Sequence, residues 1–135
     1  METLNVIGEL SIGVEAIDRE HRVLAQAIDE LHSAVMKDDQ RSLVGPLLRK
    51  VVDITRAHFA SEEAMMTAAK YPGLVLHLFK HQDLLQQVEA LAARVKRGGF
   101  TLNEHWLIFL RDWFSAHIQE DDLQFATWLK DNGKH

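Results

Sequence analysis

Apolar residues recur at helical spacing in four long segments of this chain, and on the same faces stand polar side chains that seldom enter a protein core. The first part of that pattern fixes the fold class. Leu24, Ile28, Leu31 and Val35 form one stripe, with Asp18 as candidate N-cap and Glu20 in the first turn. Val44, Leu47, Leu48, Val51 and Ile54 form a second, with Ser42 as candidate N-cap and Pro46 early enough to be tolerated; it should stop near Tyr71-Pro72-Gly73. Leu74, Leu78, Leu84, Leu85, Val88, Leu91 and Val95 form a third, ending at Gly98-Gly99. Leu102, Trp106, Phe109, Leu110 and Trp113 form a fourth. No run of alternating residues claims a strand, and the short connections favour antiparallel neighbours. The expected fold is all-α: an up-down-up-down four-helix bundle over about residues 18–120, an irregular arm over 1–17 and a short tail helix over about 122–131. A length of 135 residues suits a single domain around a single core.

The second part of the pattern carries the chemistry. Of eight histidines, His21, His58, His77, His81 and His117 lie on the core stripes, and Glu62, four residues after His58, shares its face. A buried imidazole or carboxylate without a partner costs about 1–3 kcal/mol, so six such groups together would rival a domain's whole stability of about 5–15 kcal/mol. A shared metal centre satisfies them all at once. The pairs His77-x-x-x-His81 and His58-x-x-x-Glu62 each set two donors on one helix face. After His117 the run Glu120-Asp121-Asp122 offers a further carboxylate. On a straight helix Asp121 is the natural partner, because Asp122 lies about 140° round the axis from His117. Asp122 faces inward only if the helix ends or bulges there. The other histidines are read as structural: His32 is about 16 Å along the helix from His21, His105 lies at the edge of the fourth stripe, and His135 is terminal.

Composition narrows the donor chemistry. There is no cysteine, so any metal must be held by nitrogen and oxygen. A net charge of −5 argues against a nucleic-acid or anionic-lipid surface, and no stretch is long and apolar enough for a membrane span. The first residues lack the basic and apolar regions of a secretory signal, so the expected location is the cytoplasm.

In this order and spacing the residues resemble the hemerythrin family, specifically its single-domain bacterial members. The likeness lies in Gly13-Val14-Glu15-Ala16-Ile17-Asp18-Arg19-Glu20-His21, in His58-Phe59-Ala60-Ser61-Glu62-Glu63 leading to Tyr71-Pro72, in His77-x-x-x-His81, and in Trp113 to His117-Ile118 and Asp122. The resemblance covers roughly residues 10–125. It implies two iron ions, one bound by His77, His81 and His117, the other by His21 and His58, with Glu62 and Asp122 bridging both. It thus selects Asp122, where helix geometry alone preferred Asp121. It further implies an oxo or hydroxo bridge between the ions, which by donor counting leaves one open position on the His21 and His58 side, where dioxygen would bind reversibly. Leu24, Ile28, Phe59, Trp113 and Phe114 are the residues expected to shield that pocket. Two positions depart from many relatives: Phe114 in place of leucine, and no tryptophan near Val6.

The implied function is oxygen storage, delivery or sensing, with dioxygen as the partner and no enzymatic turnover. A di-iron oxidase of ferritin type would need Glu-x-x-His motifs, and no histidine here has a glutamate three residues before it. Handling of peroxide or nitric oxide at the same centre, and an oxygen-responsive module signalling to a separate protein, are the competing readings.

Overall fold

The computed structural model describes residues 12–98 and 100–133; the arm up to Ser11, with Val6, and also Gly99 and His135 lie outside the described residues. Among the described residues the α-helices are α1 (Glu15–Val35), α2 (Val44–Ala69), α3 (Leu74–Arg97), α4 (Glu104–His117) and α5 (Leu123–Asp131). The first four form an antiparallel four-helix bundle, in which α1 packs on both α2 and α4, and α2 packs on α3. Among the described residues no helix is long and apolar enough to cross a membrane.

Helix α1 begins before Asp18, with Val14 at the N-cap, so Asp18 is not the cap residue. From inside the first turn its carboxylate instead accepts the backbone N–H groups of Ile12 and Gly13, at 2.8 and 3.2 Å, and ties the incoming chain to the helix. Ser42 is likewise not a cap: it lies in a short 3₁₀ turn, Asp38–Leu43, that runs directly into α2. Helix α2 ends on Lys70 in the left-handed conformation (φ 59°). The turn that follows needs Gly73, because a Cβ there would stand 2.8 Å from the Tyr71 ring, which is itself packed on Phe125 and Trp128. Asn103 caps α4, its side chain accepting the Trp106 N–H.

Two stripes differ from expectation at single positions. On α3 Leu78 is exposed, because the inward row runs through His77, His81, Val88 and Leu91, and Leu78 is turned about 100° from His77. On α4 the buried row is Leu107, Leu110, Phe114 and His117, while Phe109 is exposed and Trp106 and Trp113 are only half-buried. The large indoles sit at the margin of the bundle, and the inward row selects Phe114.

Helix α4 does not stop where α5 starts. The backbone stays right-handed helical through Ile118–Asp122, which forms a π turn, so the expected tail helix continues α4. Two apolar clusters result. The larger runs from Leu24 to Val35 on α1, Val44 to Val52 on α2, and Leu107 to Ile118. The smaller one gathers Ile17, Met66, Phe125 and Leu129. On α1, His21 lies between Ile17 and Leu24; on α2, His58 and Glu62 lie between Val52 and Met66. A polar layer therefore separates the two clusters.

Candidate metal centre

That layer contains His21, His58, Glu62, His77, His81, His117 and Asp122, every one of them at most 4% exposed. They form two groups of mutually close donor atoms: Glu62, His77, His81, His117 and Asp122 in one, and His21, His58, Glu62 and Asp122 in the other. Glu62 and Asp122 belong to both. Their oxygens divide between the two groups. Glu62 Oε1 faces His77 Nε2 at 2.7 Å and His81 Nε2 at 3.2 Å, whereas Oε2 is directed toward His58 at 3.7 Å. Asp122 Oδ1 stands 3.1 Å from Nε2 of both His77 and His117, while Oδ2 stands 3.1 Å from His21. Each carboxylate thus offers one oxygen to each half of the site.

The π turn brings Asp122 there. By widening the helix over five residues it rotates Asp122 onto the inward side, beneath His117. Asp121, the partner expected of a straight helix, lies against the outer edge of the same ring and accepts from His117 Nδ1 at 2.9 Å. Two more rings are held in the same way: His81 Nδ1 donates to Glu63 at 2.7 Å and His58 Nδ1 to Glu20 at 2.8 Å. The sequence reading did not single out Glu20 or Glu63 for this role. Their signal was adjacency, since Glu63 follows Glu62 and Glu20 precedes His21, but only the packing of neighbouring helices sets each opposite another helix's histidine.

These outer bonds decide what the centre can hold. A neutral imidazole that donates from Nδ1 presents a lone pair at Nε2. His81 and His117 both donate outward, yet their Nε2 atoms face each other at 3.1 Å. His21 and His58 Nε2 face each other at 3.2 Å. Protons resolve such a cluster poorly. Burial drives His81 down to about 2, helped by His77 and His117. Burial also opposes charge on His58 and His77, but hydrogen bonds to Asp122, with Glu20 for His58 and Glu62 for His77, lift both to about 9. Burial raises Glu62 to about 7, with Asp122 adding to the rise. Asp122 is held well below the ordinary carboxylate range, against its burial, by the imidazoles of His117, His21, His58 and His77 around it. Among the described residues Glu62 Oε2 has no hydrogen-bond donor, and Asp122 Oδ1, close to two Nε2 atoms, has none aligned to bond it. A metal cation in each half satisfies the converging lone pairs and the carboxylate charge together, so the residues fit a pair of ions.

Comparison with known proteins decides the family. The family model described as the hemerythrin HHE cation binding domain matches residues 12–129. The chain belongs to the hemerythrin family. A bacteriohemerythrin of Stenotrophomonas maltophilia is 33% identical over 122 residues, covering 90% of this chain and 78% of the relative. Myohemerythrin-1 of Phascolopsis gouldii is 32% identical over 117 residues, covering 83% of this chain and 92% of that protein. Among solved structures, wild-type hemerythrin superposes with a TM-score of 0.83 at 25% identity over 90% of this chain and 93% of the other.

Within this hemerythrin fold the five residues expected around the oxygen pocket do not share one side. Phe114 and His21 meet edge to face with ring centres 5.8 Å apart, and Leu24 and Ile28 are fully buried on the same helix as His21. Phe59 stacks on His81, 3.8 Å between ring centres and nearly parallel, and stands 5.8 Å from His58, so it borders both halves. Trp113 is half-buried and borders an outer groove with Lys80, Leu84 and Asp121. The other histidines are elsewhere. His32 is buried and bonds Glu104 at 3.2 Å, and His105 is exposed.

Proposed function

We propose that this hemerythrin-family chain binds two iron ions and uses them to bind dioxygen reversibly, for storage, delivery or sensing. The observation that carries this reading is the division of the Glu62 and Asp122 oxygens between a three-histidine half and a two-histidine half. His77, His81 and His117 would hold one ion and His21 and His58 the other, with both carboxylates spanning the pair and an oxo or hydroxo group completing the bridge. Two ferrous ions, when bound, supply dioxygen with one electron each.

The chain's own part is arrangement and exclusion. Glu20, Glu63 and Asp121 keep three rings turned inward with their Nε2 atoms free for metal. The two-histidine half has one fewer imidazole and is where a further ligand would find room. Phe114, Leu24 and Ile28 give that half an apolar border, which keeps water and protons from helping reduced oxygen to leave. A site with five imidazoles and only two carboxylates suits binding over turnover.

An anaerobic preparation titrated with oxygen tests the whole reading. Two irons per chain, with near-ultraviolet and visible charge-transfer bands that form on oxygenation and fade on deoxygenation, are expected. One iron or none would sink it, and steady consumption of a reductant or peroxide would replace binding by catalysis.

A further inference from the structure

Asp121 is the carboxylate that helix geometry offered to the centre and the π turn displaced, and its placement is not idle. Its Oδ2 accepts from His117 Nδ1 at 2.9 Å, and its Oδ1 accepts from Lys80 Nζ, on α3, at 2.6 Å. Asp121 is nearly buried at 11% side-chain exposure, whereas Lys80 is 43% exposed. An ammonium, a carboxylate and an imidazole therefore run in line from the outer groove to the centre. Glu20 and Glu63 hold His58 and His81 in the same way, but neither has an ion pair with a lysine or arginine among the described residues, and their side chains are 34% and 29% exposed.

We propose that Asp121 and Lys80 are positioning residues for His117 that set, in opposite directions, how strongly its Nε2 donates to the metal. The proposal rests on the iron-binding reading above. A full carboxylate on Nδ1–H gives the ring imidazolate character, which strengthens donation at Nε2 and favours the oxidised metal. The Lys80 ammonium draws charge back from Asp121 and moderates that effect, and low exposure keeps solvent from screening the carboxylate. A merely structural pair would fix the ring without any such opposition of sign.

The test uses the iron-loaded full chain with two variants, Asp121→Asn and Lys80→Met, compared by iron content, charge-transfer band position and midpoint potential. Asp121→Asn keeps an oxygen for the Nδ1–H but loses the charge; its potential should rise and its bands move to longer wavelength. Lys80→Met leaves Asp121 unmoderated, so its potential should fall and its bands move to shorter wavelength. Shifts of the same sign, or bands and potentials matching the wild type in both variants, would overturn the proposal while leaving iron binding intact. A wild-type chain that takes up no iron would overturn both. Melting of the metal-free variants checks that each is folded, and Lys80→Met, altered at a half-exposed position, provides the reading if Asp121→Asn is not.

Discussion

The two halves of the centre are built to different standards of rigidity. In the three-histidine half, His81 and His117 are each held at Nδ1 by a carboxylate, one of them backed by Lys80, and Phe59 lies flat on His81. In the two-histidine half His58 is held by Glu20, while among the described residues His21 Nδ1 has no hydrogen-bond partner and its ring meets Phe114 edge to face. The difference teaches where change is permitted. On the function proposed above, the half with two of its three rings braced would keep its ion fixed, and the half with one of two rings braced and Phe114 beside it would be the one to admit a further small ligand.

Removing what the halves share should have the largest effect. Asp122→Ala or Glu62→Ala is expected to abolish iron binding in both, and the melting temperature should stop responding to added iron, since metal binding energy is also folding energy. Two irons retained by either variant would end the bridging assignment. Removing one histidine from each half separates them. His21→Ala should leave about one iron per chain, held by the three-histidine half, whereas His77→Ala should lose metal and lower the melting temperature; equal iron content in the two would erase the asymmetry. A smaller effect is expected from Glu20→Gln, because outer partners of metal-bound histidine typically change affinity by about 10–100-fold. A competition assay against a chelator would read that loss on the two-histidine half, with unaltered affinity counting against the brace. Phe114→Leu should be the mildest for iron binding, costing about 1–2 kcal/mol of stability as a large-to-small core replacement while altering oxygen off-rate or autoxidation. Identical oxygen kinetics would remove Phe114 from the ligand's surroundings, and a response at Phe59→Leu instead would move the ligand to the braced half.

Much of the centre was legible in the sequence because the bundle's helices are long and regular. Over α1, α2 and α3, spacing alone set His21, His58, Glu62, His77 and His81 inward, where all five are buried. Legibility failed where one residue of rotation mattered. The fourth stripe read from the sequence, Leu102, Trp106, Phe109, Leu110 and Trp113, is right at Leu102 and Leu110, but the packed row of α4 runs through Leu107, Leu110 and Phe114 and leaves Trp106, Phe109 and Trp113 at its margin. Both rows satisfy helical periodicity, and only contact with α1 chooses between them. The outer carboxylates were hidden for a related reason: each belongs to the helix adjoining its histidine's, or, for Asp121, to a turn whose geometry departs from the regular helix.

The sequence by itself determined an all-helical bundle and a buried layer of histidines and carboxylates, because periodicity and the cost of burying polar groups are local and additive properties. Tertiary structure decided which aspartate enters the centre. A straight helix directs Asp121 toward His117, and the π turn over Ile118–Asp122 brings Asp122 inward instead, leaving Asp121 to hold the outer edge of that ring. A π turn is rare because it is locally disfavoured, and what offsets it here are contacts with His21 and His77 on other helices, which no reading along a single helix contains.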